Sequence, residues 1–284
     1  MSAAVVRSGG YQERIGESEF HPLPNLYPDG IPQNQTGIDY QESQIFSQKR
    51  TFRGKHPLKG RIHREQILEI LSGSDVDAGF SALKHVPSGK VVNALFSFLY
   101  HQDETIKWRA VTAMGFFVRG LAEDDMEKAR NIIRRLMWNL NDESGGIGWG
   151  SPEAMGEILT CHEGLSREYA PILLSYANKD ANYLELPMLQ RGLLWGIARL
   201  SEKRRQFVIG SKPLFFPWLE SEDPALRGYA IRIVGLIGAG EDMERLSPFV
   251  KDESTYTTYI DYRCMRRTVG ETAREALAGL EKQT

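Results

Sequence analysis

The sequence predicts an all-α protein in which paired helices stack into a right-handed superhelix, a helical solenoid, behind an extended N-terminal arm. Apolar residues recur at helical spacing from Ile62 onward, and the first 61 residues contain no such run. A repeat near forty residues with two helices per unit is typical of a solenoid. Five ten-residue segments, whose starts lie 37 to 43 residues apart, can be superimposed: IKWRAVTAMG from Ile106, IGWGSPEAMG from Ile147, LQRGLLWGIA from Leu189, LRGYAIRIVG from Leu226 and VGETAREALA from Val269.

Residues 1–61 are expected to form an arm without a core of its own, and residues 62–284 a repeat domain of about five units. The end of the arm is basic, with six Lys or Arg and no acid between Ile45 and Arg61. Two interpretations remain open: the arm lies on its own acidic repeat domain, or it is a flexible tail for an external partner. A nucleic-acid tail is disfavoured because no aromatic and basic binding face accompanies it.

The helices follow in order. Ile67, Leu68 and Leu71 share one helical face. A second short helix, Val76 to Val86, completes an irregular capping repeat. Later helices are expected at 90–100, 104–121, 125–139, 151–161, 167–177, 186–200, 206–219, 223–237 and 243–250, with a last one ending near Leu280.

Local signals refine these boundaries. Ser151 before Pro152 and Asp223 before Pro224 are typical of a cap residue followed by proline at the first helical position. Trp138 is expected to pack between repeats. Three tyrosines, 256, 259 and 262, occupy a polar insertion before the last helix and are expected to shield the terminal repeat.

The repeated segment has a mechanical explanation. Its first and ninth positions are apolar and eight residues apart, so they lie on one helix face and pack inward. Its tenth position is Gly or Ala in every copy, which lets a neighbouring helix approach closely. A basic residue often follows the first position, as at Lys107 and Arg227.

This signature resembles HEAT-like repeats, including those of phycobilisome lyases, over residues 62 to 280. The phrase LMWNLNDESGGIGWGSPEAMGEI also resembles an uncharacterised bacterial branch of HEAT-like proteins. The resemblance implies an armadillo-like architecture and brings no activity with it.

The loop from Asn141 to Gly150 is unusually rich in glycine and leads into a helix. Such a loop can bind phosphate, but Asp142, Glu143, Glu153 and Glu157 surround it, and no P-loop residues follow. An acidic loop with Trp149 suits a cationic group better, such as an amine or a basic peptide. The alternative is a rigid structural turn.

Positions three, seven and eleven of the repeated segment form one stripe on each second helix. In HEAT-like solenoids this helix lines the concave face. Glu153 and Glu157 are therefore expected to face Arg191 and Arg199 of the next repeat, either as salt bridges or as a ligand pocket. The candidate binding residues are Asp142, Glu143, Trp149, Glu153, Glu157, Arg191, Trp195, Arg199 and Arg232.

Three sharper chemistries are disfavoured. A di-iron site of the deoxyhypusine hydroxylase kind needs several His-Glu pairs, and the sequence has only His162-Glu163. A DNA glycosylase with Trp and carboxylate on its concave face needs a positive track, whereas the repeat domain is net acidic. A phycobilin lyase would need a tetrapyrrole site that nothing specifies. Cys161 and Cys264 are expected to be packed and not nucleophilic.

The sequence thus favours a non-enzymatic binding scaffold whose concave face holds a protein or peptide partner, without cofactor or metal. The alternative is a DNA-binding or DNA-modifying protein that uses the Trp, Glu and Arg stripe. With a net charge of −2, two cysteines, no apolar leader and no long apolar run, we expect a cytoplasmic protein that does not bind membranes.

Overall fold

The computed structural model describes residues 57–141 and 148–282, with side chains from His63 onward. The candidates Asp142 and Glu143, and the arm up to residue 56, lie outside the described residues. The elements are α1 (Pro57–Ser72), α2 (Val76–Ala82), α3 (Ser88–Phe98), α4 (Glu104–Asp124), α5 (Met126–Leu140), α6 (Ser151–Cys161), α7 (Glu163–Ser175), α8 (Pro187–Arg204), α9 (Phe216–Leu219), α10 (Pro224–Ile237), α11 (Met243–Leu246), β1 (Thr255–Ile260), β2 (Arg263–Thr268) and α12 (Val269–Glu281). Helix α1 begins five residues before the predicted start of the helical pattern.

The helices form a solenoid, as predicted. The second helices of successive pairs, α4, α6, α8, α10 and α12, pack side by side in one row. Small residues permit this packing: a Cβ on Gly156 would lie 2.4 Å from Gly196 Cα, and one on Gly235 would lie 2.4 Å from Ala276 Cβ. The small tenth position of the repeated segment therefore lies where two helices touch.

The core is built from the predicted periodic positions. The first and ninth residues of the repeated segments are buried wherever they are described, except for Leu277, which is partly buried. These buried positions are Ile106, Met114, Met155, Leu189, Ile197, Leu226, Val234 and Val269. Among the described helices, none combines the length and apolar character that a membrane crossing requires.

Two predicted first helices are much shorter than expected. The segment predicted as a helix at 206–219 consists of 3₁₀ turns at Arg205–Phe207 and Ile209–Phe215, followed by the single turn of α9. The segment at 243–250 is α11 followed by a 3₁₀ turn at Ser247–Lys251. Prolines 213, 217 and 248 lack the N–H that a continuous α-helix needs, so these segments break into short turns.

One predicted helix cap is confirmed and one is displaced. Asp223 caps α10 by accepting a hydrogen bond from the Ala225 N–H at 2.9 Å. For α6 the cap residue is Gly150, and Ser151 is the first helical residue. Gly150 has φ of +72°, and a Cβ there would lie 2.6 Å from the Leu99 carbonyl oxygen, so the position favours glycine.

The all-α solenoid carries one addition that was not predicted. Strands β1 and β2 pair in antiparallel register, from Thr255 opposite Thr268 to Ile260 opposite Arg263, and form a hairpin where a polar insertion was expected. The prediction for Trp138 was wrong, because 72% of this residue is exposed.

Candidate functional site

The hairpin lies on the face formed by the second helices and shows that this face is concave. The Tyr259 ring stacks on Trp108 of α4, with centroids 5.2 Å apart, and Trp108 is 4.7 Å from Trp195 of α8. A six-residue strand spans about 20 Å. A flat row from α4 to α12 would measure about 32–40 Å. The strand can therefore reach from α12 to α4 only because the row curves around it.

The two strands of the hairpin differ in their contact with this concave face. The Val269 N–H donates to the Ser254 carbonyl, so this pair of residues is a hydrogen-bonded pair. Because hydrogen-bonded and non-hydrogen-bonded pairs alternate along an antiparallel ladder, the carbonyls of Thr257 and Tyr259 point away from β2. The Tyr259 carbonyl accepts a hydrogen bond from Trp195 Nε1 at 3.1 Å. Strand β1 therefore rests on the helices, and most of β2, including Arg263 and Arg266, is exposed.

The hairpin tip is attached to the first repeat. Asp261 and Tyr262 have φ of 48° and 62°, as in a two-residue type I′ turn. The Tyr262 hydroxyl donates to Asp77 Oδ1 of α2 at 2.9 Å, and its ring contacts Phe80 edge-on. Tyr256 lies at the terminal repeat, as expected, with its hydroxyl 2.8 Å from Thr272 Oγ1. Tyr259 and Tyr262 do not shield the terminal repeat as predicted, because they contact α4 and α2 at the other end of the solenoid.

A cavity of about 430 Å³ flanks the base of β1, and we call it the Glu153 chamber. It lies at the N-terminal ends of α4, α6, α8 and α10, where each second helix begins. Its charged and aromatic wall residues include Glu104, Lys107, Trp108, Glu153, Arg191 and Asp223. Three carboxyl groups and two cations in one cavity favour a ligand that carries positive charge.

Glu153 is the unusual group in this chamber. It is 5% exposed, and its Oε2 atom has no hydrogen-bond partner among the described residues. In the described part of the chain, Lys107 is the cation paired with it, and Nζ lies 4.0 Å from Oε1, which is longer than a hydrogen bond. Burial raises the pKa of the Glu153 carboxyl, and Lys107 only partly opposes that shift. A buried acceptor without a donor is costly unless something supplies one.

A second cavity of about 290 Å³ flanks the hairpin tip. Glu157 accepts two hydrogen bonds from Arg199, at 3.0 and 3.2 Å. Glu202 accepts from Arg199 at 2.6 Å and from Arg232 Nε at 3.1 Å. These pairs raise the pKa of Arg199 despite its burial. The charged groups here satisfy one another, so this cavity is explained by structure alone.

The predicted site residues do not all lie in one cavity. The Glu157–Arg199 salt bridge is confirmed. Glu153 and Arg191 line the same cavity, as expected of a pocket, but the alternative of a salt bridge between them is wrong, because Arg191 Nε lies 2.5 Å from Asp223 Oδ2 of the next repeat. Trp149 is 40% exposed and lies outside the walls of both cavities.

Three residues that shape the site are not among the binding residues predicted from the sequence. Lys107 and Trp108 occupy the second and third positions of the repeated segment, and the third position was already placed on the concave stripe. Their periodic position could therefore have identified them. Tyr259 gave no such signal, because its role depends on a hairpin that spans several repeats.

The remaining candidates for chemistry have structural roles or are simply exposed. His162 caps α7, and its Nδ1 accepts from the Leu165 N–H at 3.1 Å. Burial raises the pKa of the Cys161 thiol to about 12. Cys264 is exposed on β2, contrary to the expectation that both cysteines are packed.

Comparison with known proteins identifies an archaeal relative. An uncharacterized protein of Archaeoglobus fulgidus is 34% identical over 109 residues, which is 38% of this chain and 52% of that protein. The chain thus spans about half the length of the curated relative that it matches. No family model matches the sequence.

Similar solved structures include repeat proteins, all with low sequence identity. An engineered protein is 13% identical with a TM-score of 0.44, covering 77% of this chain and 96% of that chain. A designed armadillo repeat protein is 16% identical with a TM-score of 0.40, covering 76% and 98%. An archaeal HEAT-like repeats protein from Thermococcus onnurineus NA1 is 13% identical with a TM-score of 0.36, covering 80% and 82%. The expected phycobilisome-lyase type and bacterial branch stay predictions.

Proposed function

We propose that this protein is a non-enzymatic binding scaffold that holds a polypeptide partner at its concave face, with a Lys or Arg side chain of the partner in the Glu153 chamber. The observation that carries the proposal is the buried Glu153 carboxyl, which lines an open cavity and has an oxygen to which no residue of 57–141 or 148–282 donates. A volume of about 430 Å³ lies in the range of small-ligand sites.

The neighbouring groups favour a cation from outside. Arg191 is engaged by Asp223, and Lys107 is shared between Glu153 and Glu104, at 4.0 and 3.8 Å. Neither cation makes a hydrogen bond to Glu153. A ligand ammonium or guanidinium would supply the missing donor.

The alternative, a DNA-binding or DNA-modifying protein, has less support. Its aromatic stripe would need to stack on bases, but Trp108 and Trp195 are buried beneath Tyr259 of the hairpin. The cavity beside Trp108 is rich in carboxyl groups, which repel phosphate.

The test uses peptides selected on the protein itself. A random phage-displayed peptide library is panned on the wild type, and affinities of the enriched peptides are measured by fluorescence anisotropy. The comparison variants are Glu153→Gln, which keeps the side-chain shape, and Glu244→Gln, an exposed carboxylate of α11 as the charge-matched control. Circular dichroism checks that both variants fold.

We expect enriched peptides to contain Lys or Arg, and Glu153→Gln to weaken them about tenfold, as for loss of a charged contact. Glu244→Gln should leave the affinity unchanged. Replacing the basic residue of the peptide by Met should cause the same loss, and this loss should disappear in the Glu153→Gln background. Equal affinity for wild type and Glu153→Gln, or the failure to enrich any basic peptide, would overturn the proposal.

A further inference from the structure

The exposed apolar side chains gather along one edge of the solenoid. Seven large apolar residues are exposed within the described part of the chain, and five lie where a first helix connects to its second helix. These five, which we call the loop ridge, are Tyr100 (59% exposed), Trp138 (72%), Trp149 (40%), Leu186 (51%) and Met188 (53%). Large exposed apolar groups gathered at one edge are a feature of interaction surfaces.

The packing of the repeats places these residues at adjoining helix connections, with Trp138 in the last turn of α5 and Met188 in the first turn of α8. Helices α4, α6 and α8 lie side by side, so the loops that lead into them share one edge. The loops also touch directly, because the Gly150 backbone packs on Leu99, next to Tyr100. Trp149 lies two residues before the start of α6, and Met188 is the second residue of α8. Each of three consecutive repeats therefore contributes an exposed apolar group.

The loop ridge is continuous with the Glu153 chamber. Met188 belongs to both, since it lines the chamber and is half exposed. The chamber wall includes Glu104 and Pro224, which begin α4 and α10, so the cavity lies at the same edge as the ridge. A partner that lies along this edge can thus reach the Glu153 carboxyl with one side chain.

The repeat spacing defines the shape of this partner. Adjacent helices lie about 8–10 Å apart. A polyproline II segment has three residues per turn and rises about 3.1 Å per residue, so every third side chain faces the same way after an advance of about 9 Å, which matches one repeat. Aromatic residues and Met are also the side chains that protein interfaces favour at their centres.

We infer that the loop ridge docks an extended polypeptide segment of a partner, with apolar side chains at every third residue over Tyr100, Trp149 and Met188. This inference rests on the proposed function, since a basic side chain of the same segment enters the Glu153 chamber. The segment therefore combines a three-residue apolar period with one Lys or Arg, whose charge the Glu153 carboxyl complements.

The experiment measures the enriched peptides against ridge variants. Trp149→Ser and Tyr100→Ser remove exposed rings, and Ile209→Ser, which removes a side chain of 46% exposure away from the ridge, is the matched control. We expect each ridge variant to weaken binding about tenfold, as interface aromatics commonly do, and the control to leave it unchanged. An alanine scan of the peptide should show losses at three-residue intervals.

The outcomes separate this inference from the proposed function. If Glu153→Gln weakens binding while both ridge variants and the peptide scan show no effect, the chamber is retained and the ridge inference is overturned. If no peptide is enriched, both proposals fail. If sedimentation shows that the wild type self-associates and that Trp149→Ser abolishes this, a second copy covers the ridge and the segment is rejected.

Discussion

Replacement of Gly192 by Ala tests the position of the Glu153 carboxyl directly. Gly192 lies inside α8, where exchanging Gly for Ala ordinarily stabilises a protein by about 1 kcal/mol. Here a Cβ would lie 2.3 Å from Glu153 Cδ and 2.4 Å from Oε2. Ordinary contacts begin near 3.4 Å, so the carboxyl must retreat by about 1 Å. Overpacking of this kind costs about 1–3 kcal/mol.

The two contributions have opposite signs, and their sum decides the outcome. We expect Gly192→Ala to lower the free energy of unfolding by about 1 kcal/mol, with a range of about 0–2. Gly120 of α4 is the matched control, since a Cβ there would meet nothing within 4 Å. Gly120→Ala should raise the free energy of unfolding by about 1 kcal/mol.

The assay is urea unfolding followed by circular dichroism and tryptophan fluorescence, with the midpoint compared at constant m value. Truncation of the carboxyl provides the internal check: in a Glu153→Ala background, Gly192→Ala should stabilise as Gly120→Ala does. The reasoning is refuted if Gly192→Ala stabilises the wild type as much as Gly120→Ala, or if its penalty persists without the Glu153 carboxyl.

Three further predictions concern the hairpin tip, the buried carboxyl and the thiols. Tyr262→Phe should lower the free energy of unfolding in urea by about 1 kcal/mol. In an Asp77→Ala background it should lower it no further, because both changes remove the same hydrogen bond, and additive losses would contradict that bond. The raised pKa of Glu153 means that the folded state binds a proton before the unfolded state does, so wild type should gain stability over Glu153→Gln as pH falls from 7 towards the ordinary value of 4.5. A difference that shrinks on acidification would show that the pKa is not raised. With a thiol reagent at pH 8, Cys264 should react at least about tenfold faster than Cys161, whose pKa is about 12; loss of the fast phase in Cys161→Ser, and not in Cys264→Ser, would reverse this assignment.

The periodic part of the fold could be predicted because it depends on local spacing. The residues at the first and ninth positions of each repeated segment pack inward for the same reason in every copy, and Glu157 meets Arg199 because both sit in equivalent rows of adjacent helices. The same logic places Arg191 and Glu153 in one cavity but does not give their ion pairing, because Arg191 pairs with Asp223 of the following repeat. Row position alone does not choose between two nearby carboxylates.

The hairpin was missed because its turn lacks the usual signal. The segment TYTTYI is rich in β-branched and aromatic residues, which favour strands, but the type I′ turn normally carries Asn-Gly. Here the turn is Asp261-Tyr262, held by contacts with a helix 185 residues away in the sequence. The Glu153 chamber was missed for the same reason, since β1 forms one of its walls.

The attachment of the hairpin tip gives this solenoid a fixed copy number. Most repeat arrays can gain or lose a unit by duplication or deletion in the gene, because each unit contacts only its neighbours. Here one strand of fixed length must reach from the last helix to Asp77 near the first. One unit more or less would move that acceptor by about 8–10 Å, so the hairpin would overshoot or fall short. The strand thus acts as a ruler, and lineages that retain it should keep the same number of units.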